Sequence, residues 1–205
     1  MKIFLDFDDV IFNTKNFKSD FFQLFKNAGV SEKEFQKTYY KKIREGIKKY
    51  DLENQLRLLF TESPQKLEKT KKQIEDFLTD LSGYVFEDFY WFVNKVGEED
   101  LSILSFGDEK MQRIKIENSD VSRLAGDYEI VQESKGEYLE RKYSDIQAIM
   151  VDDRPDQLES ADQRLNNWQL IRMNRNEGRY ADLPDNGRFK TVKDFYELET
   201  LLPID

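Results

Sequence analysis

Two patterns of apolar and polar positions divide the chain. The opening run Ile3-Phe4-Leu5 is short, apolar and continuous, and predicts a buried strand over residues 2–7. Apolar residues then recur at helical spacing. Phe17, Phe21, Leu24, Phe25 and Ala28 share one face of a helix over 15–28, which Gly29 ends. Ser31 with Glu34 forms a capping-box signature for a second helix over 32–50, and residues 51–60 read as helical again. Ser63-Pro64 opens a helix running to Leu81, and an aromatic-rich helix covers 86–96.

From residue 101 onward the pattern alternates. Strands are expected at Leu101–Phe106, Glu129–Gln132, Ile146–Val151 and Trp168–Met173. Helices are expected at 109–117, 137–143, from Pro155 to Leu165, and at 191–202, with a long polar loop at 174–190. Strands separated by helices indicate a doubly wound parallel α/β sheet with crossover helices. The helical stretch then becomes an insert after the first strand, giving an α/β core of residues 1–14 and 84–205 and a helical cap of residues 15–83.

Composition narrows the chemistry. The 205 residues contain no Cys and no His, which excludes disulfides, thiolate and histidine catalysis and the usual zinc sites. Carboxylates, Lys, Arg, hydroxyls and a hard metal remain. The net charge of −9 lies outside residues 13–100, where 16 basic and 16 acidic residues balance. With a pI near 4.8, this acidity argues against nucleic acid as a partner. No segment approaches the ~18 apolar residues of a membrane span. Asp6 interrupts the first apolar run, so neither a signal peptide nor a membrane is expected, and a cytoplasmic location is the simplest expectation. Oligomeric state is not readable.

Acids sit where such a sheet places its ligands. Asp6, Asp8 and Asp9 follow the first strand, and Asp152-Asp153 follow IMV. Ligands of open parallel sheets bind beyond the carboxyl ends of the strands. Crowded carboxylates repel one another unless a proton or cation intervenes, and a hard divalent ion, Mg²⁺ by preference, suits oxygen ligands.

Four polar features stand in a definite order: Asp6-Phe7-Asp8-Asp9-Val10-Ile11, then LSILSFG with Ser105, then Lys135, then IMVDDRPD. In this the chain resembles the haloacid dehalogenase superfamily, phosphatase type, over residues 1–12 and about 84–202. The resemblance implies Asp6 as nucleophile and Asp8 as acid and base, with Ser105, Phe106 and Lys135 around the phosphate. It implies Mg²⁺ on Asp6, the backbone carbonyl of Asp8, and Asp153 with Asp152. Which of Asp152 and Asp153 contacts the metal directly is open, as is the choice of Lys135 over Lys142. The family most often has Gly where Asp9 stands. By the same resemblance, dehalogenases and phosphonatases lack the second Asp, so Asp8 points to a phosphomonoesterase acting on a small phosphorylated metabolite. The acidic pair resembles that of deoxyribonucleotidases, which makes a nucleoside monophosphate a candidate. A phosphomutase and a noncatalytic binding module are the alternatives.

In the insert, Lys37, Lys41, Lys42, Arg44, Lys48 and Lys49 are expected along one helix, as a solvated face balanced by Glu32, Glu34 and Glu45. Phe21, Phe22, Phe25, Tyr39 and Tyr40 are expected to pack within the insert. Arg154, Arg172 and Tyr180 have no role assigned by sequence.

Overall fold

In the computed structural model, which describes residues 1–44, 47–184 and 187–202, two compact units form. One comprises Met1–Lys15 with Ser82 onward, the other Asn16–Leu81.

The first unit is built on a six-stranded sheet in which every neighbouring pair is parallel. Its strands are β1 (Lys2–Leu5), β4 (Leu101–Phe106), β5 (Asp127–Val131), β6 (Ala148–Asp152), β7 (Trp168–Met173) and β8 (Lys190–Val192), ordered β5-β4-β1-β6-β7-β8. In order of appearance in this sheet that is 3-2-1-4-5-6, the doubly wound arrangement, with β1 and β6 adjacent where the winding reverses. β6 is buried along its whole length and β4 at every residue but the last, as a sheet covered on both faces requires. Helices α5 (Glu87–Val96), α6 (Glu109–Asn118), α7 (Lys135–Tyr143), α8 (Pro155–Asp162) and α9 (Phe195–Glu199) belong to the same unit. Phe4, Leu104 and Met150 of the strands pack with Leu139 of α7 and Leu158 and Ala161 of α8. Phe89 and Phe92 of α5 meet the Phe195 ring of α9 with ring centres 5.5 and 4.8 Å apart.

An internal ion pair holds the loop after β1. The side chains of Asp88 and Arg175 are both buried and pair at 3.0 and 3.1 Å. Asp88 also accepts the Phe195 backbone N–H, and Arg175 Nε donates to the Val10 carbonyl at 2.8 Å. Every charged oxygen and nitrogen in this clip thus has a partner, which a buried pair needs in order to offset its desolvation.

The second unit contains α2 (Glu32–Tyr39), β2 (Tyr40–Arg44), β3 (Ile47–Tyr50), α3 (Leu52–Leu59), α4 (Pro64–Phe77) and all of α1 (Thr14–Asn27) beyond its first two residues. Phe21, Phe25 and Phe35 are buried in it, with ring centres 5.0 to 6.4 Å apart. The helix expected over 32–50 is therefore not continuous. It stops at Tyr39, and an antiparallel hairpin follows, pairing Tyr40 with Tyr50, Lys41 with Lys49 and Lys42 with Lys48. The residues Tyr39, Tyr40, Ile43, Ile47 and Tyr50 are β-branched or aromatic strand formers, and Gly46 disfavours a helix by about 1 kcal/mol. The basic residues beyond Lys37 accordingly lie on two strands rather than one helix face. Glu45, expected to balance them, falls outside the described residues, as does the Tyr40 side chain.

Two further expectations need correction. The segment 191–202 holds a sixth strand, β8, before a short α9, because Thr191 and Val192 pair with Arg172 and Met173. The helix expected over 137–143 begins two residues earlier, at Lys135, since Ser134 caps α7 by accepting the Glu137 N–H. Among the described residues no helix is long and apolar enough to cross a membrane.

Gly136 allows α7 to approach α8. A Cβ there would lie 2.3 Å from the Ser160 carbonyl oxygen. Gly136→Ala is expected to lower stability by about 1–3 kcal/mol, read as a reduced urea midpoint at unchanged slope.

Candidate active site

The carboxyl ends of β1, β4 and β6 bring most of the expected residues together. Asp6 follows β1 directly, and its N–H donates to the Val151 carbonyl at 2.9 Å, continuing the ladder for one residue. Asp152 ends β6, and Asp153 follows it. Asp6, Asp152 and Asp153 are all buried, and one carboxylate oxygen from each lies within 4.8 Å of the others.

Lys135 reaches this cluster from the first turn of α7. Its Nζ lies 2.7 Å from Asp6 Oδ1 and 2.6 Å from Asp152 Oδ2, and its side chain is buried. The backbone holds the lysine from behind, with its N–H on Gln157 Oε1 at 2.8 Å. Lys142 stands elsewhere. It is half-exposed and pairs with Glu129 at 2.7 Å and the Tyr138 hydroxyl at 3.1 Å. Of the two candidate lysines, Lys135 is therefore the one beside the acids.

Asp8 is partly buried, and both its oxygens accept hydrogen bonds. Oδ2 accepts from Gln112 Nε2 at 2.7 Å, and Oδ1 from the Thr14 hydroxyl at 2.9 Å and from the Lys115 ammonium. Gln112 also donates to the Ser105 hydroxyl at 2.9 Å, so one amide joins the end of β1 to the end of β4. Ser105 is fully buried. Phe106 ends β4, and its backbone carbonyl also lies near the Gln112 amide.

Gln112 and Lys115 escaped the reading of the sequence. Both are buried on α6 in a stripe with Ile116 and Ser119, at the spacing of a helix's inward face. Polar residues at inward positions were the available signal. The Lys115 ammonium also lies 5.4 and 5.5 Å from the centres of the Phe7 and Phe12 rings, which suits a cation in an apolar setting.

Asp9 adopts the left-handed conformation, with φ of 60°. This conformation favours Gly and is tolerated by Asp. Its carboxylate accepts the Arg179 N–H at 3.1 Å, and Gly178 packs against its side chain.

Electrostatics reflects the crowding. Burial pushes the Asp6 carboxyl up to about 7; Lys135 pulls it down, while Asp152 and Asp8 raise it. Burial, then Asp6, Asp152 and Asp9, place Asp153 well above the ordinary carboxylate range. Burial acts against the Lys135 charge, but Asp152 and Asp6 outweigh it and hold the ammonium above the usual lysine range. Five carboxylates (Asp6, Asp8, Asp9, Asp152 and Asp153) face two ammonium groups (Lys115 and Lys135). Fully ionised, this set carries three excess negative charges. All-oxygen donors, excess negative charge and Asp153's elevated proton affinity fit a hard divalent cation.

A protein assigned as a haloacid dehalogenase-like hydrolase of Burkholderia xenovorans LB400 superposes with a TM-score of 0.74 at 20% identity, covering 98% of this chain and 97% of that one. The chain has the haloacid dehalogenase-like fold. The same fold is shared by the HAD hydrolase YfnB of Bacillus subtilis, described as bound to magnesium (TM-score 0.64, 14% identity, 99% and 98% covered). The L-2-haloacid dehalogenase of Xanthobacter autotrophicus shares it too (TM-score 0.60, 11% identity, 98% and 97% covered). No family model matches the sequence, and no curated protein matches it.

The cluster predicts a pH dependence of definite sign. Folded Asp6 keeps its proton to about 7, against an ordinary value of 3.8. The folded state therefore holds more protons between those values, and the metal-free protein is expected to lose stability as pH rises through this window. Asp153 acts in the same direction. A divalent cation competes with these protons, so the rise in Tm on replacing EDTA by Mg²⁺ is expected to be larger near pH 8 than near pH 5. Calorimetry at the two pH values checks this, and equal shifts would count against a metal at these acids.

Proposed function

We propose that the chain is a Mg²⁺-dependent phosphomonoester hydrolase that works through an aspartyl-phosphate on Asp6. The observation that carries the reading is the joint placement of Asp6 and Asp8. Asp6 is in contact with Lys135, and Asp8 is tied through Gln112 to Ser105. Two carboxylates from one strand end thus have different surroundings, as a nucleophile and a proton carrier require.

In this reading the Asp6 carboxylate attacks phosphorus as the bond to the leaving oxygen breaks. Asp8 gives that oxygen a proton. The Asp8 carboxylate then takes a proton from the water that attacks the phosphoryl group, and inorganic phosphate leaves Asp6 free. Asp8 enters the first step protonated and regains that proton from water in the second; the hydrogen bonds that both its oxygens accept suit the carboxylate form between the two steps. Ser105 donates to a phosphoryl oxygen with the backbone near Phe106, and the Lys135 ammonium offsets charge on Asp6 and the phosphoryl group. Asp6, Asp153 and Asp152, with the Asp8 carbonyl, would hold Mg²⁺. Its charge would lessen repulsion between the nucleophile and a phosphate dianion. The inserted unit is the cap in the same proposal, and a small phosphorylated metabolite, a nucleoside monophosphate included, is the substrate class.

Dehalogenation is the competing reading, since a dehalogenase shares the fold. Asp8 favours phosphoryl transfer, which needs a proton carrier beside the nucleophile.

Phosphate release from a panel of sugar phosphates, phosphocarboxylates and nucleotides is expected with Mg²⁺ and not with EDTA. Asp6→Asn is expected to abolish it. Asp8→Asn is expected to lower kcat by about 10²–10⁴-fold, the usual contribution of a positioned acid–base group. Chloride release from L-2-chloropropionate without phosphate release from the panel would overturn the proposal.

A further inference from the structure

A row of rings and guanidinium groups lies along the same edge of the sheet, outside the chemistry described above. Phe106 follows Ser105 at the end of β4. Arg154 follows Asp153 after β6, and its backbone N–H donates to Asp152 Oδ1 at 2.9 Å. The Arg154 guanidinium carbon lies 5.0 Å from the centre of the Phe106 ring and 5.5 Å from that of Tyr180. The Arg179 guanidinium carbon lies 5.4 Å from the Tyr180 ring centre. The row therefore runs Phe106, Arg154, Tyr180, Arg179. It borders the acids, for the backbone N–H of Arg154 is held by Asp152 and that of Arg179 by Asp9.

The two arginines differ. Arg154 is only slightly exposed and already paired, its guanidinium meeting Asp156 at 2.7 and 3.1 Å. Arg179 is exposed, and among the described residues no carboxylate pairs with its side chain. Its backbone is nevertheless fixed. The Arg179 N–H is held by Asp9, and Gly178 sits so close to Asp9 that an added Cβ would lie 3.1 Å from the Asp9 Cβ. Asp9, next to the proposed nucleophile's strand end, thus fixes the backbone that carries a cation with no carboxylate partner among the described residues.

We infer that Arg179, backed by the Tyr180 ring, binds a second anionic group of the substrate. The preferred substrate is then a phosphomonoester that also carries a carboxylate or a further phosphate. This deepens the hydrolase proposal and rests on it. Guanidinium groups bind both anions through paired N–H donors, and a ring beneath the guanidinium limits its orientations. Lys115 and Lys135 already face carboxylates and the edge of the site stays negative, so a substrate with two anionic groups needs a further cation, and Arg179 supplies one.

The test compares matched pairs in phosphate release with Mg²⁺: 3-phosphoglycerate against glycerol 3-phosphate, and fructose 1,6-bisphosphate against fructose 6-phosphate. The wild type is expected to show a lower KM for the doubly anionic member of at least one pair, and which pair does so distinguishes carboxylate from phosphate. Arg179→Gln is expected to raise that KM by about 10- to 100-fold, the usual range for a charge-assisted hydrogen bond, with kcat and the KM of the singly anionic member unchanged. Arg179→Lys is expected to recover part of the loss. Equal KM values within both pairs, a preference for a nucleoside monophosphate, or an Arg179→Gln effect common to both members would overturn the inference while leaving the hydrolase proposal standing. Absence of phosphate release from every compound would overturn both.

Discussion

The contact of Lys135 with Asp6 and Asp152 is the constraint on which the site depends. Two buried carboxylates from adjacent strands would repel strongly in a low-dielectric interior. One ammonium between them lets β1 and β6 end side by side. Its own burial is tolerable because both acids meet it, while Gln157 holds the lysine's backbone N–H. Gly136 belongs to the same arrangement, since the start of α7 can bring Lys135 to the acids only while the next residue lies against the α8 backbone. The packing of two helices and the charge balance of the site are therefore one problem.

The compensation is incomplete. Burial and neighbouring acids leave Asp153 with a raised proton affinity and push the Asp6 carboxyl up to about 7, a charge excess that a cation among them would offset. Asp8 is satisfied differently, by an amide, a hydroxyl and an ammonium from α1 and α6. Thus residues two apart in sequence, on one strand end, answer to different elements.

The sheet and the acids were legible in the sequence because an apolar run that ends in carboxylates is a strong and local pattern. β1, β4, β6 and β7 announce themselves, and Asp6, Asp8, Ser105, Asp152 and Asp153 follow from where those runs stop. Less could be read where a residue's role depends on a partner distant in sequence. Gln112 and Lys115 look like ordinary helix-surface residues until the inward stripe of α6 is traced. The three residues of β8 carry too short a pattern to separate from the helix behind them. The hairpin of β2 and β3 was hidden by lysines, whose charge suggested a helix face and masked the strand-forming residues between them. The anchoring of Arg179 on Asp9 spans 170 positions in sequence and left no local trace.

The Asp88–Arg175 clip makes the end of the chain a distant support of the site. Asp88 on α5 accepts the first N–H of α9, and Arg175 passes the connection to the Val10 carbonyl in the loop that carries Asp8 and Asp9. Loss of α9 would leave the Asp88 carboxylate short of a donor and the Phe89 and Phe92 rings uncovered, loosening the guanidinium that steadies the loop. Integrity of α9 is thus coupled to the alignment of the first strand's acids, so proteolysis far from the acidic cluster would disorganise it without removing any one of its members.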